Sequence, residues 1–227
     1  MFAGQSYAAV DLDDAAGIWL FNEDADDSSG NNNHGTLMGN PTWVEGKFDE
    51  ALEFDAAGDY VDCGDNASLQ LANETFSWSF WLKRDAIGSQ QLIIGQGVGA
   101  QNQGLVIGFR GSSVLTFAFW SNDLDTGATY TQTDWHHWAG TYNAKDKSRK
   151  IYRDGIEVAS HTATANYQGS GILCIAGGCV RLDRERPHLL QGVRTRLAAK
   201  VALHNFCIWL NCQLDRPNMA FADLHTS

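Results

Sequence analysis

The fold of this chain is decided around the loop Asp27-Ser28-Ser29-Gly30-Asn31-Asn32-Asn33-His34-Gly35. The loop has almost no apolar side chains, so it fits neither a buried strand nor a buried helix. Its carboxylate and amide oxygens stand among glycine and asparagine, which tolerate left-handed backbone angles. Such a loop can turn several oxygens toward one point, which suits calcium. The alternative is a polar turn whose side chains bond only their own backbone.

Aromatic and apolar blocks surround this loop in a characteristic order. They are 17–23 before the loop, then 44–48, 51–55, 59–61, 76–82, and 135–142 with 152–155. This order resembles the laminin-G-like branch of the concanavalin A-like lectin/glucanase superfamily, over residues 15–178. The resemblance implies an antiparallel jelly-roll β-sandwich of two curved sheets.

The residues themselves also indicate an all-β fold. Apolar side chains alternate with polar ones from Ile18 to Ile175, as in the block 76–82, and Gly, Asn and Asp clusters interrupt the alternation. Asp154-Gly155 supplies the positive φ angles of a tight hairpin turn. Many short strands without intervening helical periods predict a sandwich rather than a parallel α/β fold.

Composition excludes several classes of partner. The 227 residues carry a formal charge of −11, which argues against nucleic acid, because a phosphate backbone is bound by clustered Lys and Arg. No segment approaches the roughly 20 apolar residues of a membrane helix, so we expect no membrane insertion. Residues 1–10 lack the pattern of a signal peptide. We expect an extracellular or cell-surface domain whose leader was removed, or that belongs to a larger protein.

The five cysteines leave three alternatives open. They are Cys63, Cys174, Cys179, Cys207 and Cys212, and the spacing Cys-x4-Cys occurs twice. An odd number in a chain of this length does not indicate a disulfide framework. Structural zinc, one disulfide bond and buried free thiols therefore all remain possible interpretations.

The C-terminal part of the sequence departs from the pattern. Residues 181–227 contain one glycine, seven Lys/Arg and four Asp/Glu, and the apolar spacing over residues 191–210 favours a helix. Relatives usually close the domain here with a strand, and none is recognisable. We therefore divide the chain into a sandwich, 1–180, and an atypical tail, 181–227. The tail is either a helical appendage or the product of a reading-frame shift near Val180. A missing strand predicts self-association through an unpaired sheet edge.

The resemblance also implies a structural calcium ion at the opening loop. Asp27, Asn31, Asn33 and, from a neighbouring loop, Asp59 are the candidate ligands. His34 is expected to form hydrogen bonds, because calcium prefers oxygen ligands.

A second candidate site has the composition of a sugar-binding loop. Trp120 supplies an aromatic surface, and Asn122, Asp123 and Asp125 supply amide and carboxylate groups beside it. A glycine-rich loop, 95–104, is a further candidate for the same rim.

Catalysis is not indicated. Glucanases with this fold usually carry an E-x-D-x-x-E block on one strand, and the nearest match, Glu50 and Glu53, points its two side chains to opposite faces. His136 and His137 are adjacent and cannot converge on one ion within a strand. We predict a non-catalytic, calcium-stabilised lectin-like domain that binds carbohydrate or an extracellular protein. The alternative is an adhesion or structural module without a sugar ligand, and a glycoside hydrolase is disfavoured.

Overall fold

The computed structural model describes residues 14–55, 58–85 and 87–177, and the backbone of residues 202–210. Within these ranges the chain forms fifteen β-strands, one short 3₁₀ turn (Ala67–Leu69) and no α-helix. The described part therefore has no helix long and apolar enough to cross a membrane. The strands are β1 (Ala15–Trp19), β2 (Thr36–Met38), β3 (Thr42–Glu45), β4 (Glu50–Glu53), β5 (Tyr60–Asp62), β6 (Phe76–Lys83), β7 (Gln91–Gly97), β8 (Gly104–Phe109), β9 (Leu115–Ala118), β10 (Asp123–Asp125), β11 (His136–Tyr142), β12 (Ser148–Arg153), β13 (Ile156–Thr162), β14 (Cys174–Ile175) and β15 (Ala202–Leu210).

The strands form two antiparallel sheets. The first has eight strands, seven of them in the order β13-β12-β11-β6-β15-β4-β3, and β1 also pairs with β15. The second has seven strands in the order β10-β9-β8-β7-β14-β5-β2. Strands distant in sequence are neighbours in both sheets, as β7, β14 and β5 are. The predicted jelly-roll sandwich is confirmed.

The core lies between the two sheets and follows the alternation of the sequence. Phe76, Trp78 and Phe80 of β6 are at most 1 % exposed. Their side chains meet those of the opposite sheet, since the ring centroid of Phe117 on β9 lies 5.9 Å from that of Phe76 and 5.5 Å from that of Trp78. Removing each such ring from water stabilises the fold by about 1.5–3 kcal/mol.

The predicted hairpin joins β12 to β13. Asp154 and Gly155 have φ angles of 49° and 80°. Positive φ at both central residues matches the twist of the flanking strands, which is why the Asp-Gly pair closes this turn.

The C-terminal strand β15 corrects the sequence analysis. Its residues pair with β6 on one side and with β4 and β1 on the other, with Leu203 opposite both Leu82 and Leu52. The predicted helix is therefore wrong for residues 202–210, and so is the unpaired edge expected from a missing strand. A short apolar run fits a buried strand as well as a helix, and the open edges of β4 and β6 decide between them. Residues 178–201 and 211–227 lie outside the described ranges, so the boundary at residue 180 and the origin of the tail stay predictions.

Two cysteines have defined states. Cys63 is a buried free thiol, and burial raises its pKa well above the ordinary value, with smaller contributions from Asp62 and Asp27. Cys174 is disulfide-bonded. A disulfide was one of the three alternatives left open by the sequence.

Candidate functional site

A small pocket opens at one end of the sandwich, between the two sheets. It lies where β6, β8 and β12 end and where β11 begins, and we call it the end pocket. It is lined by Leu82, Arg84, Phe109, Tyr130, Gln132, Asp134, His136, Trp138 and Arg153. Its empty volume is about 220 Å³, which includes open solvent at the mouth.

Strand alternation places a cation in this pocket. Phe76, Trp78, Phe80 and Leu82 face the core, and Arg84 follows at the same parity directly after β6. The Arg84 side chain therefore turns inward, and the residue is 3 % exposed.

Two of the three guanidinium nitrogens of Arg84 have protein partners. Nε donates to Oε1 of Gln91 at 2.6 Å, and Nη1 donates to the carbonyl oxygen of Tyr130 at 2.8 Å. The guanidinium carbon lies 3.8 Å from the centroid of the Phe109 ring. The third nitrogen, Nη2, is buried and has no acceptor among the described residues. Arg84 lines the pocket, but Nη2 itself is buried, so a ligand reaches this nitrogen only when the side chains over it shift.

The charge of Arg84 is not neutralised by a carboxylate of the described residues. Burial lowers the pKa of Arg84 to about 10, and no described charge opposes this effect. The group therefore stays charged at neutral pH. The ring face of Phe109 and the carbonyl dipoles offset part of the cost of burying this charge.

A second arginine reaches the pocket from β12. Arg149, Ile151 and Arg153 alternate along that strand toward the core. Arg153 lies over the rings of Tyr130, at 4.8 Å, and Trp138, at 5.6 Å from each centroid.

The tautomer of His136 follows from its two neighbours. Nη2 of Arg153 lies 2.6 Å from Nε2 of His136, and Nδ1 of His136 lies 2.8 Å from Oδ2 of Asp154. Arginine can only donate, so Nε2 must accept and Nδ1–H must donate to Asp154. The neutral imidazole of His136 therefore holds the guanidinium group of Arg153 in place.

Of the predicted sugar-binding residues, Asp125 lies near Arg110, which directly follows Phe109, whereas Trp120 and Asn122 lie at the opposite end of the sandwich. There Asn122 is 4 % exposed. Its Nδ2 donates to Oδ1 of Asn102 at 2.8 Å, and its Oδ1 accepts from Nη2 of the buried Arg149 at 3.0 Å. Burial lowers the pKa of Arg149 to about 10, and Tyr142 and Asp123 oppose this effect. Asn122 thus holds an internal cation in place.

The other three predicted residues flank Asn122 in the sequence. Asp123 and Asp125 form ion pairs with Nη2 and Nε of Arg110 at 2.8 and 2.9 Å. Trp120 is half-buried and has a φ of 48°. The structure brings the four predicted residues into one region, but it engages three of them with protein partners. Their role in ligand binding stays a prediction.

The opening loop is organised around the carboxylate of Asp27. Oδ1 accepts the backbone N–H groups of Ile18 and Ser29, each at 2.9 Å. Oδ2 accepts the Ser29 hydroxyl and the backbone N–H of Asn33, also at 2.9 Å. Burial by itself raises the pKa of Asp27, but these four hydrogen bonds outweigh it and the net pKa is lowered.

The two predicted asparagine ligands fasten the same loop to β1. Nδ2 of Asn31 donates to the carbonyl oxygen of Ala15, and Nδ2 of Asn33 donates to that of Ala16, both at 2.7 Å. The side-chain oxygen of Asn33 accepts from Nδ2 of Asn66 at 2.7 Å.

This donor set does not fit a calcium ion. Calcium needs about six to eight oxygens with lone pairs directed at one point, but those of Asp27 and Asn33 already accept hydrogen bonds. Asp59 has a separate partner, since its Oδ1 accepts from the backbone of Asn40 at 2.8 Å. Among the described residues no group of three or more His, Cys, Asp or Glu side chains can hold a metal. Calcium stays a sequence-based prediction, and the described contacts make this loop a hydrogen-bonded clamp.

Sequence reasoning missed the cations of the end pocket. The alternation over residues 76–82 identified a strand, but the same alternation was not continued to residue 84, where it turns Arg84 toward the core. The same parity on β12 turns Arg153 inward. A charged residue at a core-facing position just beyond an apolar run was the available signal.

Several solved structures share this fold. One is domain 4 of AbnA, a GH43 extracellular arabinanase from Geobacillus stearothermophilus, in complex with arabinotriose. It is 18% identical, with 86% of this chain and 92% of that chain covered and a TM-score of 0.63. Another is the binding domain of Paraclostridial Mosquitocidal Protein 1, 16% identical, with 90% and 51% covered and a TM-score of 0.67.

A third is the binding domain of botulinum neurotoxin DC in complex with rat synaptotagmin II. It is 17% identical, with 90% and 50% of the two chains covered and a TM-score of 0.65. The chain thus spans about half the length of the two toxin binding domains. At these identities the likeness shows the fold alone.

Family membership rests on the sequence itself. A search of curated proteins gave no match. The laminin G-type family model of the concanavalin A-like lectin/glucanases superfamily matches residues 55–182, which is more than half of the chain. The chain therefore belongs to the concanavalin A-like lectin/glucanases superfamily.

Proposed function

We propose that this chain is a non-catalytic, lectin-like domain that binds a carbohydrate at the end pocket. The observation that carries the proposal is the meeting of aromatic rings with the polar groups of Arg84, Gln132 and His136 at one opening between the sheets. Sugar sites combine apolar ring surface with a few directed hydrogen-bonding groups.

The size of the pocket defines how a sugar binds. Phe109 and Trp138 form buried walls, and an empty volume of about 220 Å³ including the mouth is below the roughly 300–1,000 Å³ of most ligand pockets, so we expect one substituent of the sugar to enter. The rest of the sugar lies over the rim, where the exposed side chains of Gln132 and Asp134 can bond hydroxyl groups.

The scarcity of acidic groups in the pocket supports a binding role rather than hydrolysis. A glycosidase needs two carboxyl groups on either side of the scissile bond. Among the described residues that line the end pocket, Asp134 is the only acidic one. Glu50 and Glu53 lie on β4, which does not contribute to the pocket.

We also propose an extracellular or cell-surface location, as part of a larger protein. The disulfide bond of Cys174 supports this location, because such bonds persist in oxidising compartments.

A glycan array tests the proposal directly. The folded chain is applied with calcium and again with a chelator, and we expect the same glycans to be retained in both. An array without any retained glycan, together with capture of a purified cell-surface protein, would favour the adhesion module instead. Release of reducing sugar from β-glucan or arabinan would contradict the non-catalytic assignment.

A further inference from the structure

We propose that the end pocket selects acidic sugars by taking the carboxylate of a uronic or sialic acid onto Nη2 of Arg84. This inference rests on the proposed carbohydrate-binding function and names the ligand class. It concerns the end of the sandwich opposite to Trp120 and Asn122.

The first step of the argument is the unbalanced charge. Arg84 is almost fully buried, and among the described residues its Nη2 has no acceptor and no carboxylate forms an ion pair with it. A buried cation is costly unless a hydrogen-bonding anion accompanies it. The pocket that Arg84 lines is open to solvent, so an anionic ligand that enters it and shifts the side chains over Nη2 can supply that partner.

The second step is the contrast with the other pocket arginine. Nη2 of Arg153 is engaged by His136 at 2.6 Å and by Oε1 of Gln132 at 3.3 Å, and its Nε lies 3.7 Å from Oδ2 of Asp154. Arg153 is therefore partly neutralised and held in place. It adds positive potential to the pocket. Its Nε is also buried without a hydrogen-bond acceptor among the described residues, but the carboxylate of Asp154 lies beside it, whereas no described carboxylate pairs with Arg84.

The third step concerns the shape and charge of the anion. The pocket is small, with about 220 Å³ of empty volume including its mouth, and a flat carboxylate fits between the buried rings of Phe109 and Trp138 more readily than a bulkier group. Tetrahedral sulfate and phosphate are bulkier, and phosphate carries about −1.5 to −2 charges at neutral pH. Asp134 lies at the rim and repels each additional negative charge. A monoanionic carboxylate is therefore favoured.

The net charge of the whole chain does not remove this preference. The formal charge of −11 repels anions at long range, but at physiological salt that field is screened beyond about 8 Å. Contacts within the pocket then decide the affinity.

The test compares matched glycans by isothermal titration calorimetry at physiological salt. Sialyllactose is compared with lactose, and trigalacturonate with galactotriose, so that the two sources of carboxylate are separated. We expect at least one acidic glycan to bind about tenfold or more tightly than its neutral counterpart, as for a hydrogen bond to a charged group.

Three variants assign the effect to the pocket. Arg84→Met is expected to remove the preference for the acidic glycan, and Asp134→Asn, which keeps Arg84, to strengthen it. Lys150→Met is the control, since it also removes one positive charge but lies in an exposed ion pair with Glu157. If Arg84→Met does not fold, as judged by circular dichroism, the response of Asp134→Asn still decides.

The outcomes separate the two proposals. Equal binding of acidic and neutral glycans, unchanged in Asp134→Asn, would overturn the acidic-sugar inference and leave the proposed function standing. Binding of none of these glycans, together with an empty glycan array, would overturn both. A preference that Lys150→Met removes as fully as Arg84→Met does would assign the effect to net charge and reject the pocket.

Discussion

The guanidinium group of Arg84 lies 3.8 Å from the centre of the Phe109 ring. This cation–π contact joins the residue after β6 in one sheet to the last residue of β8 in the other. Phe109 ends the core-facing series of β8, and Arg84 extends that of β6. The same arrangement recurs at the opposite end, where Arg149 lies over Phe119 at 4.2 Å. Each end of the core is therefore closed by a buried arginine.

The two buried arginines differ in the number of their hydrogen bonds. Arg84 bonds two acceptors, whereas Arg149 bonds several through Nη1 and Nη2, and each leaves one nitrogen without an acceptor among the described residues. This difference leads to the first prediction. Asn122→Ala removes an acceptor from Arg149 and leaves a buried charge short of partners. We expect a loss of about 2–4 kcal/mol in the free energy of unfolding. Urea denaturation measures it. Asp125→Ala is the matched control, because it breaks only an exposed ion pair worth less than about 1 kcal/mol. Equal effects of both substitutions would contradict this role of Asn122.

The second prediction concerns acid. The pKa of Asp27 is lowered in the folded state, so its contribution is fully present above the ordinary value of 3.8 and is lost as the pH falls through the folded-state pKa. Asp27→Asn is expected to cost about 2–3 kcal/mol near neutral pH and to flatten the acid limb of the stability curve. Denaturation at several pH values measures this. Asp26→Asn, at an exposed neighbouring position, is expected to leave the curve nearly unchanged.

The third prediction concerns metal. Because the oxygens of Asp27 accept four hydrogen bonds, we expect the melting temperature to be the same with added calcium and with a chelator. Differential scanning calorimetry provides the comparison. A clear rise in melting temperature with calcium, abolished in Asp27→Asn, would restore the calcium site implied by the family resemblance.

The fourth prediction concerns the C-terminal strand. The strand β15 pairs with β6 on one side and, at Leu203 and residues 206–209, with β4 or β1 on the other, so the amide protons of this segment are expected to exchange slowly, close to the rate of global unfolding. The edge strand β2, whose residues are all exposed, is the internal control and is expected to exchange faster. Hydrogen–deuterium exchange mass spectrometry distinguishes the two segments. Immediate exchange over 202–210 would contradict the strand and return the tail to an appendage.

Much of the fold was predictable because local patterns and tertiary contacts agree. The alternation of Phe76, Trp78 and Phe80 places one face of β6 in the core. The positive φ angles of Asp154 and Gly155 fix the turn between β12 and β13. The strand β15 was not predictable in the same way. Its place is set by β4 and β6, whose residues are more than a hundred positions away in sequence.

The candidate site was predictable only in part. The polar composition of Trp120–Asp125 suggested ligand contacts, but composition does not reveal that Asn122 is occupied by Arg149. Conversely, Arg84 directly follows an apolar strand and looks in the sequence like an ordinary charged residue at the end of a strand. Its importance depends on Phe109, Tyr130 and Gln91, which reach it only when the two sheets pack.

The most direct test of the account is a ¹H–¹⁵N NMR titration of the isotopically labelled chain with sialyllactose and trigalacturonate, against lactose and galactotriose. We predict that an acidic glycan shifts the amide resonances of Arg84, Tyr130, His136 and Arg153 much more than its neutral counterpart does. Shifts concentrated at Trp120–Asp125, or no shifts at either end of the sandwich, would contradict the assignment of the end pocket as the binding site.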